Sequence, residues 1–450
     1  MARRRRRKLM EQPIEVDIED LSHDGRGIAR VNGKVIFVSG ALPGEKVLVK
    51  HTGGNKNFEE GVTTEVLHAV EDRVEAKCQF FNVCNGCTMM HLAPEKQIEF
   101  KQNTLKQNLI KMAKLEPQKW LDPLTDSSWN YRRRARLSVR WVIAKDKVLV
   151  GFREKNGRYV ADMDYCEILQ EPLDKLLKPL AKMIEKLSIR QHVAQIEASI
   201  ADEDVALIFR HLKPISNADE AIMLNFAIEN DVRIYSQSKG PKTIVEMLDS
   251  NNDTQPKSLF FDMPKFDIRM DFLPSDFIQV NAKMNEKMID QAMSLLDIQK
   301  NDVILDLFCG LGNFTLPLAT QVKKVTGIEG EKSLVERAQH NAHLNDLKNV
   351  SFHVADLTQN HENSDWFKED YNKILIDPPR SGAWEVLPLI AETKAETLLY
   401  VSCHPASLAR DTDRLVNELG FKLVKAGVMD MFPHTSHVES IALFTRTLQI

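Results

Sequence analysis

Between residues 13 and 70 apolar and polar positions alternate in short runs, IEVDIEDL, GIARV, KVIFVSG, EKVLVKHT and EEGVTTEVLHAV. Alternation at period two marks a half-buried strand. Turn signals at His23-Asp24-Gly25, Val31-Asn32-Gly33 and Leu42-Pro43-Gly44 separate the runs. Many short strands with regular turns predict a small OB-like barrel. Residues 95–115, EKQIEFKQNTLKQNLIKMAKL, repeat apolar side chains near every 3.6 positions and predict a helix. Residues 129–265 mix both patterns without clean alternation, which predicts a central α+β segment.

From about residue 300 the pattern changes. VILDLFCG, KVTGIEG, VSFHVAD, KILIDPP and TLLYVSCHP are apolar runs that each end in a polar or glycine-containing turn. Helical stretches lie between them, NFTLPLATQ, EKSLVERAQHNAHLNDL, GAWEVLPLIAE and ASLARDTDRLVNEL. Strand–helix alternation predicts an α/β domain with a doubly wound parallel sheet. The link around Pro433 between FKLVKAGVMDMF and HVESIALFTR is too short for a crossover, so these two strands should pair antiparallel. A parallel sheet finished by one antiparallel hairpin resembles the class I (Rossmann-like) methyltransferase domain.

Composition narrows the setting. The 450 residues suggest two or three domains. No run approaches the roughly 18 apolar residues of a membrane span, and six cysteines are too few for a disulfide scaffold. The start, MARRRRRKLM, has a basic flank without the apolar segment of a signal peptide. A cytoplasmic protein in a reducing compartment, with no membrane association, is expected. The net charge of −4 argues against a uniformly basic nucleic-acid binder. Yet Arg3 to Lys8 carry +6 and residues 131–158 carry +8, so the rest of the chain carries −18. In YRRRARLSVRW basic and apolar residues alternate at strand period, which predicts arginines on one side of a sheet. Arginine forks match phosphate oxygens, and aromatic rings can stack on unpaired bases.

Candidate chemistry gathers at the strand ends, where open α/β sheets bind ligands. The first strand runs into Asp306-Leu307-Phe308-Cys309-Gly310-Leu311-Gly312-Asn313. A dinucleotide site would want a third glycine where Thr315 stands, so a nicotinamide enzyme is the weaker reading. Glu329, ending the second strand, suits two ribose hydroxyls, and Asp356, ending the third, suits an adenine edge. A nucleoside cofactor without pyrophosphate fits S-adenosylmethionine. Cys403 ends the fifth strand beside Asp377-Pro378-Pro379-Arg380, whereas Cys309, inside the first turn, reads as packing. A thiolate adding to C6 of a pyrimidine makes C5 nucleophilic, and a base must later remove the C5 proton. Glu439 is a candidate base. Cys78-x5-Cys84-x2-Cys87 with Cys166 supplies four thiols, which by spacing alone suit zinc or an iron–sulfur cluster equally, with unliganded packing a lesser third option.

DFIQVN (276–281), DLFCGLGNFTLPLA (306–319), DPPRSG (377–382), SCHPASLARD (402–411) and FPHTSHVES (432–440) together resemble the RNA uracil-C5 methyltransferases. The resemblance implies Cys403 as nucleophile and Glu439 as base. It implies Gln279, Phe308, Asn313, Glu329, Asp356 and Asp377 around S-adenosylmethionine, with Gln279 and Asp377 also near the uracil. His404 stands where the family has Asn, and Asp356 where close relatives often have Asn. LSHDGRGIARVNGKVIFVSGALPGE (21–45) is similar to a TRAM domain, an RNA-binding module. The combination resembles the large-subunit branch of the family, acting on 23S ribosomal RNA; the tRNA branch is expected to lack barrel and cysteine cluster. It implies a 4Fe-4S cluster on Cys78, Cys84, Cys87 and Cys166. The expected organisation is a basic tail and TRAM barrel (1–72), a central iron–sulfur and RNA-binding domain (73–270) and a methyltransferase domain (271–450), working as a monomer. A tRNA uracil-C5 or an RNA cytosine-C5 enzyme, or an RNA-binding protein without catalysis, is the competing reading.

Overall fold

A computed structural model describes residues 12–155, 157–248, 258–359 and 361–447. The basic run Arg3–Lys8 lies outside the described residues.

The N-terminal strands Ile14–Asp17, Asp20–Leu21, Gly27–Val31, Lys34–Ser39, Lys46–Gly54 and Phe58–His68 form one six-stranded sheet. Its two end strands are successive pieces of one stretch, Ile14–Asp17 and Asp20–Leu21. The sheet therefore curls round a core of Val16, Ile18, Ala29, Ile36, Val38, Val47 and Val49. No ladder joins the two end strands to each other, so the expected barrel is a curled sheet rather than a closed one. The bulged pairing of Lys46–Gly54 with Phe58–His68 supplies the bend.

The central segment is mixed, as its sequence predicts. Ile244–Glu246, Arg233–Gln237, Val205–His211, Val193–Ile200, Arg134–Val142 and Lys147–Gly151 form its sheet in that order. Only Val205–His211 and Arg233–Gln237 pair parallel. Within Arg134–Val142, Ala135, Leu137 and Val139 are buried, while Arg134, Arg136 and Arg140 share the opposite face. Arg133 departs from the expected arginine face. It is 4 % exposed, its Nε donates to the Gln279 carbonyl (2.9 Å), and its guanidinium lies over the Phe261 ring at 4.2 Å. It lies in phase with the buried Ala135, Leu137 and Val139, so the period-two pattern itself turns it inward.

The C-terminal sheet has eight strands, in the order Val350–Val354, Lys324–Glu329, Val303–Leu307, Lys373–Ile376, Thr397–Ser402, Glu439–Thr445, Lys422–Met429 and Lys119–Trp120. The first five pair parallel, and Glu439–Thr445 pairs antiparallel with both its neighbours. Continuous apolar strands buried on both faces are what such a sheet requires. The chain leaves Val303–Leu307 first to one side and then to the other, so a crevice opens beyond Leu307 and Ile376. Lys119–Trp120, from the stretch assigned to the central domain, adds the edge strand. The helix Pro94–Asn108 also packs here, against Pro405–Asn417 and Lys422–Met429. Pro at its first position starts it, and it widens into a π-helical turn, Leu109–Ala113, that ends at left-handed Lys114.

Candidate active site and cysteine cluster

Two adjoining cavities, each of about 330 Å³, fill the crevice beyond the parallel strands. Gln279, Phe308, Asn313, Glu329 and Asp377 line the first; Phe308, Glu329 and Asp356 line the second. All six expected cofactor residues thus border one continuous crevice. The turn after Val303–Leu307 is tight. Phe308 holds a left-handed φ of 64° and Gly312 one of 92°. That conformation is costly for a side-chain-bearing residue, and such strain concentrates at binding sites.

Hydrogen bonds hold three of the polar wall residues, Glu329, Asp356 and Asn313. Glu329 accepts from the Gly310 N–H (3.1 Å) and the Glu331 N–H (3.0 Å). Asp356 accepts from the Thr358 N–H and Oγ1 at 3.0 and 2.7 Å, which keep its carboxyl below the ordinary range. Asn313 and Asn285 exchange amide hydrogen bonds in both directions, at 2.8 and 2.9 Å. Asn285 is fully buried on the helix Ala282–Leu296 and escaped the sequence reading. Asp306 accepts from Thr315 Oγ1 at 2.5 Å inside the sheet, and burial pushes its carboxyl up to about 7. Cys309 is buried in the core, as expected of a packing residue.

Cys403 and Glu439 sit at adjoining strand ends with Asp377 and Arg380 facing them. Burial pushes the Cys403 thiol up to about 11, with help from the charges of Glu439 and Asp377. Arg380 opposes this by its charge and a hydrogen bond. Burial and then the Asp377 charge raise Glu439 to about 8, against Arg380 and Lys101. Burial also lifts Asp377 to about 7. His404 is the N-cap of Pro405–Asn417, its Nδ1 accepting from the Ser407 N–H at 3.3 Å. Asn is also a strong N-cap, so this departure from the family pattern keeps a helix-capping acceptor.

Cys78, Cys84, Cys87 and Cys166 line one cavity with Phe81, Met90 and Phe152. Burial raises all four thiols, Cys166 to about 12, and each of the later three also feels its neighbours' charges. Among the described residues no three His, Cys, Asp or Glu side chains converge on a single metal position. All four thiols line this one buried cavity, a donor set of the kind that holds an iron–sulfur cluster or a zinc ion.

Comparison with known proteins places this geometry. The family model tRNA (Uracil-5-)-methyltransferase matches residues 93–447, and the TRAM domain model matches residues 10–62. The chain is 47 % identical to the 23S rRNA (uracil(1939)-C(5))-methyltransferase RlmD of Vesicomyosocius okutanii, over 98 % of this chain and 100 % of that one. It is 48 % identical to the protein of the same name from Stenotrophomonas maltophilia, over 98 % of this chain and 99 % of that one. The Pyrococcus abyssi tRNA (uracil-54, C5)-methyltransferase, solved with S-adenosyl-L-homocysteine, superposes with a TM-score of 0.73 at 23 % identity, covering 96 % of this chain and 100 % of that one. A tRNA enzyme thus shares the fold along almost the whole chain, so architecture alone does not separate the branches as the sequence reading expected. With its model matched over most of its length and relatives near half identical from end to end, the chain belongs to the tRNA (Uracil-5-)-methyltransferase family.

Proposed function

We propose that the chain methylates C5 of a uridine in 23S ribosomal RNA, at the position its relatives' names give as 1939. Identity near half over 98 % of the chain to proteins of that one name carries the reading. When bound in the crevice, S-adenosylmethionine supplies an electrophilic methyl group.

In this reading the chain's own residues divide the work. The Cys403 thiolate forms a bond to C6 of the uracil, the C5=C6 pair shifts to C4=C5, and the C4 carbonyl pair moves onto its exocyclic oxygen as an enolate. Arg380, beside the thiol, favours the thiolate. C5 takes the methyl group, and the methyl–sulfur bond breaks. The Glu439 carboxylate then accepts the C5 proton, C5=C6 re-forms, and the Cys403–C6 bond breaks. Gln279, Phe308, Asn313, Glu329, Asp356 and Asp377 wall the cofactor crevice, Gln279 and Asp377 at its junction with the uracil.

The cysteine quartet holds a 4Fe-4S cluster in this proposal, supported by the single cavity that Cys78, Cys84, Cys87 and Cys166 line. The working divisions are 1–72, 73–270 and 271–450, with Pro94–Trp120 packed on the last. The enzyme works as a monomer in this proposal. No helix among the described residues is long and apolar enough to cross a membrane, and we assign the enzyme to the cytoplasm.

Mapping tritiated methyl incorporation into RNA from a strain lacking the protein tests this. Label in one 23S uridine is expected; label in tRNA instead would overturn the assignment.

A further inference from the structure

The helix Pro94–Asn108 turns an unusual face inward. Its buried residues are Gln97, Lys101 and Leu105, at i, i+4 and i+8. Two are polar, and Lys101 is 0 % exposed. Burying a cation is costly unless its partners are well placed. Here both polar residues reach the same target, the turn of residues 430–437 that leads into Glu439. Lys101 Nζ donates to Asp430 Oδ1 at 2.6 Å and to the Phe432 carbonyl at 2.9 Å. Gln97 Oε1 accepts from the His434 N–H at 2.8 Å.

The turn needs holding. His434 has a left-handed φ of 65°, which a non-glycine residue adopts only under constraint. The other modules add to the clasp. The Thr88 and Met89 N–H groups, next to Cys87, donate to the His434 carbonyl at 2.9 and 3.0 Å. Tyr131 Oη donates to the Pro433 carbonyl at 3.1 Å, and the Trp129 ring lies 4.1 Å from the His434 ring.

We propose that Gln97 and Lys101 are positioning residues for Glu439, acting through the 430–437 turn, and so serve the proton-removal half of the reaction. The proposal rests on the assignment of Cys403 and Glu439 above. It separates the two halves because Cys403 is carried by a different strand, Thr397–Ser402, and none of the clasp's hydrogen bonds given above ends on that strand. Lys101 adds a second effect. The charged and titratable groups facing Glu439 are Asp377 and Arg380 from the turn after Lys373–Ile376, Cys403, and Lys101 from the helix. Lys101 is one of only two cations among them, so its loss leaves the Glu439 carboxyl harder to ionise.

The test uses the full chain, a 23S rRNA transcript and methyl-tritiated S-adenosylmethionine, with denaturant-stable protein–RNA adduct and released product measured separately. Gln97→Ala and Lys101→Met should form labelled adduct at near the parent rate but release it about tenfold or more slowly. Glu439→Gln is the reference for a trapped adduct. In Lys101→Met the pH dependence of release should also move upward, whereas Gln97→Ala should leave it in place. Lys101→Met/Asp430→Asn replaces the ion pair by neutral groups, and keeps the test valid if the single variant does not fold. Parent-like release in folded variants, or equal loss of adduct formation and release, would overturn the proposal. If Glu439→Gln itself accumulates no adduct, the underlying base assignment fails instead.

Discussion

Ser402 faces Ser440 across the antiparallel pair of strands Thr397–Ser402 and Glu439–Thr445. Cys403 and Glu439 are the next residues outward on each strand, so sheet register sets the proposed nucleophile beside the proposed base. Cys403→Ala should therefore abolish methyl transfer, while Glu439→Gln should permit it and trap the adduct, with turnover down about 10²–10⁴-fold. The pH dependence follows from the environment. Burial and the Asp377 charge raise Glu439 to about 8, so below that pH the carboxyl is protonated and cannot accept the C5 proton. Adduct release in the parent protein should climb with pH and level off above about 8. Single-turnover release rates across pH check this, and a limb that persists in Glu439→Gln would contradict it.

Asn285 exists for Asn313. Replacing it with Leu leaves the Asn313 amide without its reciprocal partner at the cavity wall. Asn313 is half-buried, so losing the pair costs about 0.5–1.5 kcal/mol, the net worth of a hydrogen bond. Calorimetry with S-adenosylhomocysteine should show up to roughly tenfold weaker binding, with adduct chemistry at saturating cofactor preserved.

The parallel strands are legible because each is a continuous apolar run, and the ligand crevice follows from where such runs end. Glu329, Asp356, Asp377 and Cys403 are therefore placed by sequence alone. Lys119–Trp120 is not, since two residues carry no period and the strand exists only because Lys422–Met429 offers an unpaired edge. Gln97, Lys101 and Asn285 escape for another reason. A polar residue on a helix reads as solvated unless its partner is known, and their partners lie far along the chain. The alternation in YRRRARLSVRW puts Arg134, Arg136 and Arg140 on one face and Arg133 on the other with Ala135, Leu137 and Val139, but it cannot name the Gln279 carbonyl as the partner of Arg133.

That distinction among arginines has a measurable consequence. Arg140 is exposed, and the Arg136 side chain is 70 % exposed beside Glu197. Single-stranded RNA affinity falls with salt at a slope of about −0.7 per phosphate neutralised. Arg140→Ala and Arg136→Ala should each weaken binding and flatten the slope by up to about that amount. Arg133→Ala should leave the slope unchanged and instead weaken cofactor binding, because it supports Gln279 from beneath. Filter binding across a salt series separates the two, and an altered slope in Arg133→Ala would count against its buried role.

The cysteine quartet gives the remaining prediction. Four ionised thiols in one buried cavity repel one another, and burial holds them protonated unless a positive centre pays for their charge. Zinc requires four ligands converging on one point, whereas a 4Fe-4S cluster spreads its irons so that each thiolate meets a different one. The cluster proposal rests on the single cavity that all four thiols line. Protein purified without oxygen should carry iron with little zinc and a broad brown visible absorption. Cys87→Ser should lose that absorption. It should also loosen the neighbouring Thr88 and Met89 contacts to His434, which hydrogen exchange at those two amides would register as lost protection. Zinc alone in the purified protein would sink the cluster assignment, and unchanged exchange at Thr88 and Met89 after loss of the metal would show that the turn does not depend on it.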